Sequence, residues 1–282
     1  MKKLPEPVRL LRPHHWIKSG FVAAPLFFTP LALGWYTIAQ VALGMVAWSL
    51  AASFIYILND WRDRESDRLH PLKKNRPLAA GTVSEPLARV MMVGLAVTAA
   101  TLALSLSLPF AVCLAVYVLI NLAYSWKLKH IAVVDVMCIA LGFVLRVEAG
   151  ALLIDVETSP WIMIMTGLLA LFLGFAKRRD DIIKQLGTEH RKALDGYSRN
   201  FIDTALAITL GSSLVSYLIY TTEAQKNAYY TAPFVIFAMF RYLQIALVEE
   251  RSGSPTLIFL TDKPILAAGL GWVLTFAFLL YT

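Results

Sequence analysis

The chain has 282 residues, 58% of them hydrophobic and only 16% charged, with a formal net charge of +7. Soluble domains average about 45–50% apolar and about 25% charged residues, so a soluble globular class is excluded and a polytopic, all-α membrane protein is predicted. Cys113 and Cys138 both stand inside apolar runs, which excludes a disulfide framework or a thiolate metal site and makes them small core residues.

In chain order, Lys2, Lys3, Arg9, Arg12 and Lys18 come first, set among prolines and followed by an apolar run that leads into further spans. This is not the pattern expected of a cleavable leader. Nine stretches approach the ~20 residues that a bilayer requires, at roughly 20–38, 39–58, 87–105, 109–126, 131–153, 160–176, 203–221, 229–248 and 264–281. Positive residues alternate by side. One side collects the N-terminal five, then Arg62, Arg64, Arg68, Lys73, Lys74 and Arg76, then Lys127 and Lys129. Lys177, Arg178, Arg179, Lys184, Arg191, Lys192 and Arg199 follow, with Arg251 and Lys263 last; the intervening connections carry Lys226 alone. The positive-inside rule then predicts a cytoplasmic N-terminus, an external C-terminus and an odd number of spans. It also accounts for the +7 charge without nucleic acid.

Two long polar segments, 59–86 and 177–202, fall on the predicted cytoplasmic side. They suggest two loosely similar halves, without a residue-level repeat, inside one domain covering 1–282. Arg146 and Glu148 lie in the fifth expected span and Arg241 in the eighth, where charge is costly and normally faces a cavity or a partner. Trp16, Trp48, Trp61, Trp126 and Trp161 read mostly as an interfacial belt.

The sharpest chemistry lies where the second span meets water, in Asn59-Asp60-Trp61-Arg62-Asp63-Arg64-Glu65-Ser66-Asp67. If the helix runs on through this segment, Asn59, Asp60, Asp63 and Asp67 share one face. Like charges at that spacing repel, and a cation removes the penalty. Oxygen donors without His or Cys suit Mg²⁺, which holds one or two carboxylates and completes its shell with water and substrate phosphate. The segment therefore reads as a metal–diphosphate site at a membrane surface, with Asn59, Asp60, Asp63 and Asp67 as metal ligands.

Asn59-Asp60-x-x-Asp63-x-x-x-Asp67, followed by His70-Pro71-Leu72-Lys73-Lys74-Asn75-Arg76-Pro77-Leu78-Ala79-Ala80-Gly81, resembles the first motif block of the UbiA superfamily of intramembrane transferases. Arg12-Pro13-x-x-Trp16-x-Lys18 and the nine-span layout are similar to the same family, so the resemblance covers the whole chain. It implies a UbiA-like bundle in which the acidic motif holds Mg²⁺ and the donor's diphosphate, in a cavity open to the membrane. Aromatic prenyltransferases of the family carry a second Asp-rich motif after the sixth span. Here Lys177-Arg178-Arg179-Asp180-Asp181 stands in that place. Together with Tyr124-Ser125, Leu128-Lys129-His130, Phe143-Val144-Leu145-Arg146, Gly196-Tyr197-Ser198, Phe201-Ile202-Asp203 and Arg241-Tyr242, this resembles the decaprenyl-phosphate phosphoribosyltransferase branch. Ser19, where that branch commonly has Asn, and the extra acid Glu148 depart from its pattern.

The resemblance implies transfer of 5-phosphoribose from phosphoribosyl diphosphate (PRPP) to a polyprenyl phosphate, in an inner membrane with the site facing the cytoplasm, for cell-envelope or lipid-linked pentose synthesis. Such a donor brings a diphosphate and a separate 5-phosphate, and the acceptor brings another phosphate. Fixed positive charge beyond the metal is needed, and Lys129, Arg146, Lys177, Arg178 and Arg179 are its expected source, with Lys73 and Arg76 near the diphosphate. Asp60, Asp63 and Lys129 are the expected catalytic residues. Lys18, Tyr124 and Tyr197 are expected substrate contacts, although Lys18 also reads as an orientation charge and Tyr124 and Lys129 as interface anchors. Asp203 fits a ribose hydroxyl, a second metal or a helix cap equally well. A prenyl transfer to an aromatic or lipid acceptor is the alternative, and a transporter is disfavoured because it has no need of the acidic face. The sequence leaves room for a homo-oligomer.

Overall fold

The structure, a computed structural model, describes residues 4–29, 32–69, 73–184, 192–223 and 227–281. His70, Pro71 and Leu72 of the motif block, and the charge markers Lys2, Lys3, Arg191 and Lys226, lie outside the described residues. The described residues form helices and short 3-10 turns, with no strand among them. A chain this apolar has to satisfy its backbone N–H and C=O groups within each segment, and the helix does so.

A short helix α1 (Glu6–Leu11) leads into a 3-10 stretch, Pro13–Ala23, and a second short helix, α2 (Ala24–Phe28). Eight segments are long and apolar enough to cross a membrane: α3 (Trp35–Arg62), α5 (Glu85–Leu106), α6 (Leu108–Trp126), α7 (Val134–Ile154), α8 (Pro160–Ile183), α9 (Arg199–Glu223), the segment Ala228–Leu247 containing α10 (Ala232–Leu247), and α12 (Lys263–Tyr281). The expected first span, 20–38, is not a single helix. It is divided between the 3-10 stretch, α2 and the start of α3, with prolines in the first turn of both short segments and a non-helical Thr29 (φ −127°, ψ 75°) ending α2.

α3 has 28 residues, about 42 Å at 1.5 Å per residue, against a hydrocarbon core of about 30 Å. Its surplus length carries Asn59–Arg62 beyond the apolar zone. The helix expected to run unbroken across 59–67 is interrupted once. The helix stops at Asp63 (φ −88°, ψ 4°), whose N–H donates to the Asn59 carbonyl at 2.9 Å, and restarts as α4 (Arg64–Leu69). Asp is a poor helix former and carboxylates three and four residues apart repel, so the break relieves what a continuous helix would enforce. On α5, Ser84 accepts from Leu87 N–H and Pro86 lies in the first turn, a standard start. α8 continues to Ile183, so Lys177–Asp181 sits on the helix rather than opening the loop expected at 177.

Contacts gather into two compact units, one of Met1–Trp126 and Leu145–Glu157, the other of Lys127–Val144 and Thr158–Thr282. The first has a core of Trp48, Phe110, Tyr117, Ala47, Ala51, Ala149 and Leu153. Trp48, expected in the interfacial belt, is fully buried there. A Cβ at Gly44 would strike Leu153 Cδ1, and one at Gly150 would strike the Val22 carbonyl oxygen, so glycine is what lets α3 and the 3-10 stretch lie this close to α7. The second unit is built on Val136, Phe172, Phe175, Ile202, Leu206, Tyr242 and Ile245. Val90, Val93 and Val97 on α5, Leu119 on α6, and Leu270, Leu274 and Phe278 on α12 are exposed. An outward apolar surface of that extent is a lipid-facing one.

Candidate active site

At the polar end of α3, Asp60 and Asp67 are buried, at 2% and 3% exposure. One guanidinium serves both carboxylates. Arg76 Nη1 donates to Asp60 Oδ1 at 2.9 Å and to Asp67 Oδ2 at 2.7 Å. Arg12 Nη2 donates to the same Asp60 oxygen at 2.6 Å. Arg12 sits in the left-handed region (φ 53°), an uncommon conformation for a residue with a side chain, where α1 hands over to the 3-10 stretch. Its guanidinium lies 5.2 Å from the centre of the Tyr56 ring. Asn59 closes the last turn of α3 through its carbonyl, Asp63 stands at the break, and Lys73 opens the 3-10 turn whose carbonyl accepts from Arg76 N–H at 2.9 Å.

A second group of charges lies deeper in the same unit. Arg146 is buried, 4.8 Å from the Tyr117 ring centre and 5.7 Å from that of Trp48, and donates to Tyr117 Oη at 3.0 Å. Lys18 on the 3-10 stretch is partly buried. Burial, then the positive charges of Arg146 and Arg12, pull its ammonium down from 10.5 to about 8. Ser49 Oγ donates to Ser19 Oγ at 2.9 Å, tying this stretch to α3.

In the second unit the basic run on α8 divides. Lys177 is exposed, whereas Arg178 and Arg179 are only 1% and 2% exposed. Arg178 donates to Asp135 at 2.6 Å and Asp181 at 2.7 Å. Arg179 donates to Asp203 at 2.7 Å and to the Ala246 carbonyl at 2.6 Å. Tyr197 Oη donates to Asp135 at 2.6 Å and accepts from Val133 N–H at 2.6 Å. Burial first, and then the bond to Asp135, raise the Tyr197 phenol above its ordinary value. Arg178, Arg179 and Tyr197, expected as substrate contacts, stand here in an internal network, since charges this deep require compensating charge nearby. Asp203, left open by the sequence, is an ion-pair partner of Arg179. Tyr124 and Lys129, both half-buried, lie in different units.

The structure thus unites Asp60, Asp67 and Arg76, places Lys18 beside Arg146, and links Arg178 to Tyr197 through Asp135. Sequence reasoning missed Arg12, Asp135 and Tyr117 as members of these groups. Asp135, the sole acid between Ile131 and Cys138, carried a signal in its apolar setting. Among the described residues no three or more His, Cys, Asp and Glu side chains form a metal cage. A hard cation on two carboxylates does not need one, since water and substrate oxygens complete its shell. Asp60 and Asp67 offer oxygen donors of the right kind, and both arginines use only one oxygen of Asp60, so the residues present fit Mg²⁺.

Comparison with solved structures finds the same fold in UbiA homologs. A UbiA homolog from Archaeoglobus fulgidus, solved bound to GPP and Mg²⁺, superposes with a TM-score of 0.74 at 21% identity, covering 97% of this chain and 98% of that one. The profile of the UbiA prenyltransferase family matches residues 19–261, and the chain belongs to that family. It is 31% identical, over 97% of its length and 92% of the relative's, to a decaprenyl-phosphate phosphoribosyltransferase of Mycolicibacterium smegmatis. A protein of the same name from Mycobacterium tuberculosis is 31% identical over 95% of this chain and 92% of its own. The chain is an integral membrane transferase.

Proposed function

We propose that the protein transfers 5-phosphoribose from PRPP to a polyprenyl phosphate and releases diphosphate, in an inner membrane with its site on the cytoplasmic face. The observation that carries this reading is the near full-length similarity to chains bearing that activity in their name. The Asp60–Arg76–Asp67 group supports it, because it supplies oxygen donors and guanidinium charge at one place, as a leaving diphosphate requires.

Asn59, Asp60, Asp63 and Asp67 would hold Mg²⁺, which when bound neutralises charge growing on the leaving diphosphate. Arg12 and Arg76 hold the acidic pair in place, and Arg76 with Lys73 lies where it can pass to the diphosphate. Lys18, Arg146, Tyr124, Lys129 and Lys177 contribute to binding the remaining phosphates and the sugar. Arg178, Arg179, Tyr197 and Asp203 act as positioning residues that fix the polar end of α8. The acceptor phosphate has a second pKa of about 6 and is largely ionised at neutral pH, so it attacks the anomeric carbon without a general base as the bond from that carbon to diphosphate breaks. Positioning and electrostatics then supply the rate.

The test is a product assay on purified protein. Labelled PRPP should enter the lipid fraction only with polyprenyl phosphate and Mg²⁺ present, giving a product of the mass of a polyprenyl phosphoribose. Transfer from a prenyl diphosphate to an aromatic or lipid acceptor, with no incorporation from PRPP, would replace this reading with the prenyltransferase one. Solute flux across proteoliposomes without diphosphate release would replace it with a transporter.

A further inference from the structure

Resting on that reading, we infer that Val133 is a strained switch point latched by Tyr197, so that docking of the 3-10 turn Lys192–Gly196 onto the turn Leu128–His130 presets Lys129 for the transfer. All of these residues lie in the second unit. The backbone comes first. Five described residues other than glycine have positive φ, and Val133, at 67°, is the one β-branched residue among them. For such a side chain that region is a genuine outlier. Val134 N–H donates to the Ala132 carbonyl at 2.8 Å, across Val133. A three-residue turn about a positive φ is the rare, strained form of the γ-turn. Packing does not repay the valine, whose side chain is 39% exposed. Its carbonyl accepts from Met137 N–H at 2.9 Å, so α7 begins directly on the strained residue.

What holds the strain comes second. Val133 N–H donates to Tyr197 Oη at 2.6 Å, and Oη donates onward to Asp135 Oδ1 at 2.6 Å. Asp135 is fully buried, and its other oxygen accepts from Arg178 at 2.6 Å. The phenol cannot turn away without stripping a bond from a buried carboxylate and from a backbone N–H, which is costly. Tyr197 is itself buried, with the Phe175 and Phe201 rings centred 6.4 and 5.9 Å from its own. A Cβ at Gly196 would lie 2.6 Å from Ala132 Cβ, so the turn that ends there rests directly on the residue before Val133. Backbone strain persists only where the surroundings over-determine it, and it gathers at sites that need a preset geometry.

What the strain sets comes third. Lys129 lies in the turn Leu128–His130, just before Val133. Ile131 N–H donates to the Leu128 carbonyl at 3.1 Å, and the Ile131 carbonyl accepts from Asp135 N–H at 3.1 Å. This short chain of bonds ties the Lys129 turn to the first turn of α7. A return of Val133 to an ordinary helical φ, near −63°, is a rotation of about 130° about one backbone bond. That rotation moves the Lys129 turn relative to α7. Tyr197 and Gly196 are thus positioning residues for Lys129, acting through Val133.

The experiment uses the full chain in detergent, with amide exchange read by mass spectrometry over 127–136 and steady-state kinetics of transfer. Tyr197→Phe should speed exchange in that stretch about tenfold and lower kcat/KM about ten- to a hundredfold. Val133→Gly permits the same φ without strain, so its melting temperature should be unchanged or raised. Added to Tyr197→Phe, it should restore most of the lost kcat/KM, which glycine at 133 could not do if Tyr197 supplied only a buried hydrogen bond. In a Lys129→Met background, Tyr197→Phe should lower kcat/KM no further. Unchanged exchange in Tyr197→Phe, a lower-melting Val133→Gly protein, no restoration in the double variant, or a further loss on Lys129→Met would each overturn the latch. Absence of transfer from PRPP by the unaltered protein, with exchange still accelerated in Tyr197→Phe and Val133→Gly not destabilised, would overturn the reaction and leave the latch standing.

Discussion

Arg76→Ala isolates the electrostatics of the acidic end. Arg76 Nη1 reaches Asp60 and Asp67 at 2.9 and 2.7 Å, so the two carboxylate oxygens lie no more than about 6 Å apart. At an effective dielectric of about 20 that separation corresponds to about 3 kcal/mol of repulsion once the guanidinium between them is removed. Asp60 keeps Arg12, whereas Asp67 loses its ion pair with Arg76 while remaining only 3% exposed. Breaking a buried ion pair costs about 3–5 kcal/mol, and the partial exposure of Arg76 favours the lower end. The loss should appear as a fall in melting temperature of roughly 10 °C by the scaling of soluble domains. Mg²⁺ should reverse much of that fall, because a divalent cation can occupy the place between the two oxygens that the guanidinium has left. The measurement is thermal unfolding in detergent with and without Mg²⁺, for Arg76→Ala and the unaltered chain. Equal losses in both conditions would show that Asp60 and Asp67 do not hold the metal together; no loss in either would show that Arg76 is dispensable to the pair.

Three further outcomes are expected. Arg178→Met strands the fully buried Asp135 and should destabilise the protein by about 3–5 kcal/mol, whereas Lys177→Met should stay within about 0.5 kcal/mol and lower substrate affinity; comparable melting losses in the two would contradict the division of the basic run. Gly150→Ala forces a methyl into the Val22 carbonyl and should cost about 1–3 kcal/mol; unchanged thermal unfolding would refute the close approach of the 3-10 stretch to α7. Lys18 sets a pH dependence. Its folded-state value of about 8 lies below its ordinary 10.5, so between these values the unfolded chain holds the proton and the folded one does not. Stability of the ligand-free protein should therefore rise with pH across that window, and a flat profile of melting temperature against pH would contradict it. Burial, Arg146 on α7 and Arg12 set that value, with His14 nearby, and Lys18→Arg should flatten the dependence, since a guanidinium stays protonated across the window.

Much of this protein was determined by its sequence. Apolar run lengths and loop charges foretold eight of the helices, because a span is set by local composition against a fixed bilayer thickness. The oxygen-only character of Asn59, Asp60, Asp63 and Asp67 likewise needs no coordinates to suggest a hard cation. The N-terminal stretch expected as one span is not one continuous helix, because hydropathy does not register what prolines and a 3-10 path do to a short apolar run. The interruption at Asp63 was not legible, because helical periodicity says nothing of a break at one residue.

Tertiary structure decided which charges are used up and which remain. Arg12 and Asp60 are 48 residues apart, and Arg178 and Asp135 are 43 apart. No local pattern encodes such pairs, since they depend on which helix faces pack together. In the sequence, Lys177, Arg178 and Arg179 form one uniform basic run. In the fold, successive side chains on α8 point about 100° apart, so one faces outward while the next two turn inward onto Asp135 and Asp203. Lys18 looked like an ordinary orientation charge and Trp48 like a belt residue. Packing of α3, α7 and the 3-10 stretch placed them beside Arg146, in surroundings where burial magnifies every unsatisfied charge and donor.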